Sequence, residues 1–285
     1  MTVMTTTTTA ASVTSADGTT IGYHTLGKGH GVIVVGGALS TAEDYLPLGR
    51  ILARSFEVHL IDRRGRGTSG PQGLDYCIEK EVEDLHAVAT ATGADRVFGH
   101  SYGGLVALES ARRSAIFTRV AVYEPGVSVD GSIPDGWMPR YAQLLADGDT
   151  RGAFACMVRE AGFAPQAVGK LPTWYLRAVL RLVIRRRRWQ HMEPLLESNL
   201  AEHQQVVRLD STVERYASIK SRVLLMGGTE SPEGITIPAL DALHEVIPGS
   251  MMDIVHGLDH LTPTAKKPEL LGERLRSFVG PEPEP

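Results

Sequence analysis

Two rhythms of apolar and polar positions alternate along the chain. The β-rich runs "TTIGYHTLG", "GVIVVGG", "FEVHLID", "DRVFGH", "RVAVYEP", "RVLLMGG" and "SMMDIVHG" read as strands. Between them "TAEDYLPLGRILAR", "EKEVEDLHAVATATG", "YGGLVALESARR", "PALDALHEVIP" and "KKPELLGERLRSFV" carry apolar residues at helical spacing. Thr41 is a capping residue before an acidic first turn, and Gly93 is a stop signal. This alternation predicts an α/β fold, a mostly parallel sheet with helices on both faces. From Val127 to about Asp210 the rhythm changes to helical pattern alone, which predicts a helical lid inserted into the core. The expected layout is a disordered tail over 1–12, core over 13–126, lid over 127–210, core over 211–279 and a tail over 280–285.

Composition narrows the class. With 285 residues and 42% hydrophobic content the chain can bury a substantial core. A net charge of −4 gives no reason to expect nucleic acid as a partner, and the basic run "RRRRW" ending at Trp189 reads as a solvated helix face. Cys77 and Cys156 are too few for a disulfide framework and point to a reducing compartment. The amino-terminal "MTVMTTTTTAASV" lacks a basic start and an apolar segment, and "GVIVVGGAL" is too short to span a bilayer. The expectation is a cytoplasmic protein with a small-molecule partner and no membrane partner; a homo-oligomer is compatible with the sequence.

Chemistry concentrates at "VFGHSYGG", where Ser101 sits between a strand pattern and a helix pattern with glycine two residues away on each side. A tight strand-to-helix turn needs small neighbours, and the helix amino terminus offers donors to a developing oxyanion, so Ser101 is a candidate nucleophile. A serine hydroxyl needs a base. His260, in the loop "VHGLDHLTP" between the last strand and last helix, is the candidate, ahead of His256 at the strand's own end. Gly257 and the strand pattern argue against a metal held by both histidines, and the chemistry calls for neither metal nor cofactor.

"GHSYGG", "DRRGRGTSG" (Asp62 to Gly70) and "GLDHLTP" (Gly257 to Pro263) together resemble the α/β-hydrolase superfamily over nearly the whole chain outside the tails and lid. The resemblance implies an eight-stranded sheet and a serine–histidine–acid triad. The family often places the acid after the strand that follows the lid, in a pattern similar to G-x-x-D. Here that stretch reads "MGGTESPEG", where three residues on from Gly228 is Ser231 and three on from Gly227 is Glu230. Members resembling zearalenone lactonases instead take a glutamate after the strand that follows the nucleophile helix, and "AVYEPG" supplies Glu124 there. Glu124 is the expected acid and Glu230 its alternative. By the family pattern the oxyanion donors are the amides of Tyr102 and Ala38, with Gly37 as the alternative to Ala38. Gly36 stands where the family usually has histidine, which leaves the support of that loop open. His100, Trp174, Tyr175 and Trp189 are candidate substrate contacts.

These readings converge on a serine hydrolase acting on an ester, lactone or thioester of a small apolar or aromatic substrate. A carbon–carbon bond hydrolase, an acyltransferase or cyclase on the same triad, and a non-catalytic ligand receptor are the alternatives.

Overall fold

A computed structural model describes residues 8–162, 169–231, 233–265 and 267–280. Eight strands form one sheet in the order β1-β2-β4-β3-β5-β6-β7-β8. They are β1 (Thr9–Thr14), β2 (Thr20–Gly27), β3 (His30–Val35), β4 (Phe56–Ile61), β5 (Arg96–His100), β6 (Arg119–Tyr123), β7 (Arg222–Gly228) and β8 (Met251–Val255). β1 with β2 and β2 with β4 are antiparallel, and every other pairing is parallel. The expected tail over 1–12 therefore needs correcting. Thr9 to Ser12 belong to β1 and pair with β2, because the alternation in "TAASVT" lets a polar edge strand close that side of the sheet. Residues 1–7 and 281–285 lie outside the described residues.

Strand side chains divide by parity. Ile33 and Val35 of β3, Val97 of β5, Val120 and Val122 of β6, and Val223 and Leu225 of β7 share one cluster with α2 (Ile78–Thr92) and α3 (Tyr102–Arg113). Val32, Val34, Phe98, Ala121, Tyr123, Leu224 and Met226 face the other way, onto α1 (Leu46–Leu52) and the last helix, α10 (Pro268–Val279). Burial of both faces is why these strands read as continuous apolar runs. Gly93 ends α2 in the left-handed conformation its missing side chain permits, and Thr41 forms a capping box with Asp44 ahead of α1.

Between β6 and β7 run α4 (Met138–Ala146), α5 (Thr150–Glu160), α6 (Thr173–Val183), α7 (Arg186–Met192) and α8 (Leu196–Arg208); α9 (Glu233–Val246) follows β7. The inserted helices have a core of their own, including Trp137, Tyr141, Phe154, Trp189 and Leu196, with Leu39 of the β3–α1 loop packed against it. No helix among the described residues is long and apolar enough to cross a membrane.

Candidate active site

The loops after five neighbouring strands, β3, β5, β6, β7 and β8, build the site. β5 pairs with β6 through His100 and Tyr123, so one step further on Ser101 and Glu124 emerge from adjacent strand ends. Ser101 holds φ 53° and ψ −123°, a backbone region that costs about 1–3 kcal/mol for a non-glycine residue. The surroundings enforce it. Cβ atoms on Gly99 and Gly103 would strike backbone, and one on Gly104 would lie 2.9 Å from Pro125. The Ser101 amide donates to the Tyr123 carbonyl at 3.0 Å, and the Gly126 amide donates back to the Ser101 carbonyl at 2.8 Å. Glu124 also has positive φ, 46°, so nucleophile turn and acid turn are strained side by side and interlocked.

His260 bridges them. Its Nε2 lies 3.2 Å from Ser101 Oγ and its Nδ1 lies 2.8 Å from Glu124 Oε2. The carboxylate on Nδ1 fixes the tautomer: Nδ1–H donates to Glu124 and Nε2 is left as the acceptor for the serine proton. Glu124 is buried, and its second oxygen accepts the Gly228 amide at 2.9 Å and the Ser231 hydroxyl at 2.5 Å. Glu230 is exposed; its amide donates to Leu258, and it is Glu124 that meets His260. His256 is exposed beside Thr229, away from this line of contacts.

The loop carrying His260 is tethered through three consecutive carbonyls. Leu258 accepts from the Glu230 amide at 2.9 Å, Asp259 from the Tyr123 hydroxyl at 2.9 Å, and His260 from His100 Nε2 at 2.9 Å. The carbonyl can only accept, so His100 carries its proton on Nε2 and its Nδ1 accepts from the Tyr45 hydroxyl at 2.6 Å. Burial first, and the neighbouring His260 second, push the His100 ring well below the usual histidine range, as this neutral tautomer requires. Burial likewise pushes the Tyr45 phenol up to about 12, so it stays a donor.

Tyr45 also accepts the Gly37 amide at 2.8 Å. That engagement removes Gly37 as an oxyanion donor. Among the described residues no acceptor meets the amides of Ala38 or Tyr102, the pair expected from the sequence. A Cβ on Gly36 would lie 2.6 Å from the Tyr45 ring, so glycine here admits the tyrosine that supports the loop.

The four residues expected to contact substrate have different surroundings. His100 is buried with both ring nitrogens engaged. Trp189 is buried in the core of the inserted helices, edge-on to Phe154 and beneath Arg151. Trp174 is 73% exposed and Tyr175 44% exposed on α6. The Tyr102 side chain is buried, its hydroxyl 2.7 Å from that of Tyr76. Sequence reasoning missed Tyr45, Tyr123 and Ser231 as supports. Ser231 alone carried a signal, since it occupies the counted position of the family's usual acid.

A model of the alpha/beta hydrolase family matches residues 32–271. The chain belongs to that family. An alpha/beta hydrolase from Sphaerobacter thermophilus superposes with a TM-score of 0.80 at 32% identity, over 95% of this chain and 100% of that one. The enol-lactonase of Burkholderia xenovorans shares the fold, with a TM-score of 0.70 at 19% identity over 94% and 99% of the two chains. The N-formylmaleamate deformylase of Pseudomonas putida is 36% identical over 110 residues, which is 37% of this chain and 41% of that protein. The chain thus matches under half the length of that curated relative. Family membership supports a hydrolase.

Proposed function

We propose that the chain is a serine hydrolase that cleaves a carboxylic ester, lactone or thioester through an acyl-enzyme. The observation that carries this is the unbroken order Ser101 Oγ, His260 Nε2, His260 Nδ1, Glu124 Oε2 at hydrogen-bond distances. Ser101 Oγ bonds to the acyl carbon, its proton passes to His260 Nε2, and the carbonyl π pair moves onto oxygen. The amides of Ala38 and Tyr102 receive that oxyanion. Collapse breaks the bond to the leaving oxygen or sulfur, which takes the proton from Nε2. Water then attacks the acyl-enzyme with the same base and restores Ser101. Glu124 stabilises the imidazolium in both halves.

With Trp189 in the core of the inserted helices and Trp174 in solvent, the substrate class is read from the triad: a compound with a reactive acyl carbon. The similarity to N-formylmaleamate deformylase, whose name denotes removal of a formyl group, supports chemistry at an acyl carbon. The helices between β6 and β7 act in this reading as a lid that excludes water from the acyl-enzyme. A fluorophosphonate probe should label the wild type and not Ser101→Ala. A panel of p-nitrophenyl esters, lactones and acyl-thioesters should show turnover that Ser101→Ala loses. A wild type that is neither labelled nor active on any of the three classes would refute the reading.

A further inference from the structure

Two buried guanidinium groups hold the β3–α1 loop from behind. Arg63 Nη2 donates to the Gly37 carbonyl at 3.1 Å; Arg66 Nη1 donates to the same carbonyl at 3.3 Å and to that of Ser40 at 3.1 Å. The Ser40 hydroxyl is a third donor to Gly37, at 2.8 Å. The balancing charges come from two places. Arg63 pairs with Glu81 of α2 at 2.7 Å and with Glu202 of α8 at 3.0 Å, and Arg66 pairs with the same Glu202 oxygen. All four side chains are buried, Glu202 completely. Burial pushes the Glu202 carboxyl toward its neutral form, but Arg63 and Arg66 outweigh it and hold the group below the usual carboxylate range. An inserted helix thus supplies a counter-ion shared by both arginines that grip Gly37.

The geometry of one peptide unit gives this grip a consequence. In a planar trans peptide the carbonyl of one residue and the N–H of the next point in opposite directions. Three donors drawing the Gly37 carbonyl toward the arginines therefore turn the Ala38 N–H away from them. Gly37 itself abuts the nucleophile, since a Cβ there would lie 3.0 Å from Ser101 Cβ. A cation on the carbonyl also polarises the amide and strengthens its N–H as a donor.

We propose that Arg63 and Arg66 are positioning residues which, held by Glu202, fix the Gly37–Ala38 peptide so that Ala38 N–H meets the acyl oxygen, making the oxyanion hole complete only while α8 is docked on the core. Displacing α8 removes Glu202, leaves two buried cations with only Glu81 between them, and frees both guanidiniums to leave Gly37. The inserted helices and the chemistry are then one device: docking over the substrate assembles the donor that the reaction needs. This inference rests on the serine-hydrolase reading.

Glu202→Gln and Arg66→Lys are the test variants, with Asp84→Asn as control. Asp84 of α2 forms a buried two-point pair with Arg64, which lies with Arg63 and Arg66 between β4 and α2; both contacts are 2.7 Å and neither group touches Gly37. Each test variant should lower kcat by about tenfold or more with KM within about twofold, and should weaken an alkylboronic acid, which forms a tetrahedral adduct on Ser101, by the same factor as kcat. Asp84→Asn should lower Tm while the folded enzyme keeps its kcat. Should either charge variant fail to fold, Ser40→Ala decides, since it removes one donor from Gly37 and leaves the ion pairs alone; kcat and boronate affinity should both fall about threefold. Folded variants of an active wild type that keep kcat and boronate affinity within about twofold would overturn this inference alone. An inert wild type would overturn it together with the hydrolase reading.

Discussion

The ring of His100 donates from Nε2 to the main-chain carbonyl of His260 at 2.9 Å, so the residue before the proposed nucleophile holds up the proposed base. On the other side His100 accepts from Tyr45, and Tyr45 accepts from Gly37. One buried relay therefore connects the β3–α1 loop to the loop that carries His260. Phenylalanine at position 100 would keep most of the ring volume and make neither bond. His100→Phe should lower kcat by about ten- to a hundredfold, a loss of roughly 1.4–2.7 kcal/mol, and slow fluorophosphonate labelling in parallel. Unchanged labelling and turnover would reduce His100 to packing.

In the proposed mechanism Ser101 and His260 act on one proton, so their removal should not add. Ser101→Ala and His260→Ala should each lower kcat by several orders of magnitude, and the double variant should be hardly slower than either. Additive losses in log kcat, measured on one ester at one pH, would separate the two residues and count against the pairing.

Much of this arrangement was legible because it depends on local pattern. Ser101 was read from the glycines around it, which a tight turn demands, and His260 from a loop freed by Gly257 at the correct end of the sheet. Glu124 could be chosen over Glu230 only through resemblance, since both follow strands at the same edge and local pattern treats them alike. The supports were opaque for a different reason. Glu202 and Arg66 stand 136 positions apart and meet only because the inserted helices pack against the core in the folded chain. Trp174, Tyr175 and Trp189 were opaque too: an apolar residue in an inserted segment can face substrate, neighbouring helices or solvent, and spacing alone does not choose.

Acid should destabilise the fold through its buried imidazoles. Burial holds His100 and His203 below the ordinary histidine value of 6.5 and keeps both neutral in the folded protein. In the unfolded chain the same rings protonate near that value. Below it the unfolded state binds the extra protons, so this stability is fully present above about pH 6.5 and is lost as pH falls, by up to about 1.4 kcal/mol per pH unit for each ring. Urea unfolding at a series of pH values down to about pH 5 should show the decline, and His100→Phe should flatten it. Equal slopes for the two proteins would exclude His100 as a contributor.

Ser231 stands where counting from Gly228 places the family's usual acid, and its hydroxyl donates to Glu124 Oε1 at 2.5 Å. The side chain at the usual site therefore touches the carboxylate that meets His260. Glu124→Gln should lower kcat by orders of magnitude, because an amide can neither fix the imidazole tautomer nor stabilise its cation, while Glu230→Gln should stay within about tenfold of wild type. Ser231→Ala should cost only about three- to tenfold, since the Gly228 amide still holds the same oxygen. The decisive variant moves the carboxylate. In Glu124→Ala combined with Ser231→Asp the space left by Glu124 is open to the longer aspartate, which can reach toward His260 Nδ1. This double variant should recover at least about tenfold in kcat over Glu124→Ala, or roughly 1.4 kcal/mol. If it recovers nothing while both proteins fold, Ser231 is only a hydrogen-bond donor to Glu124 and the two acid positions are not interchangeable in this chain.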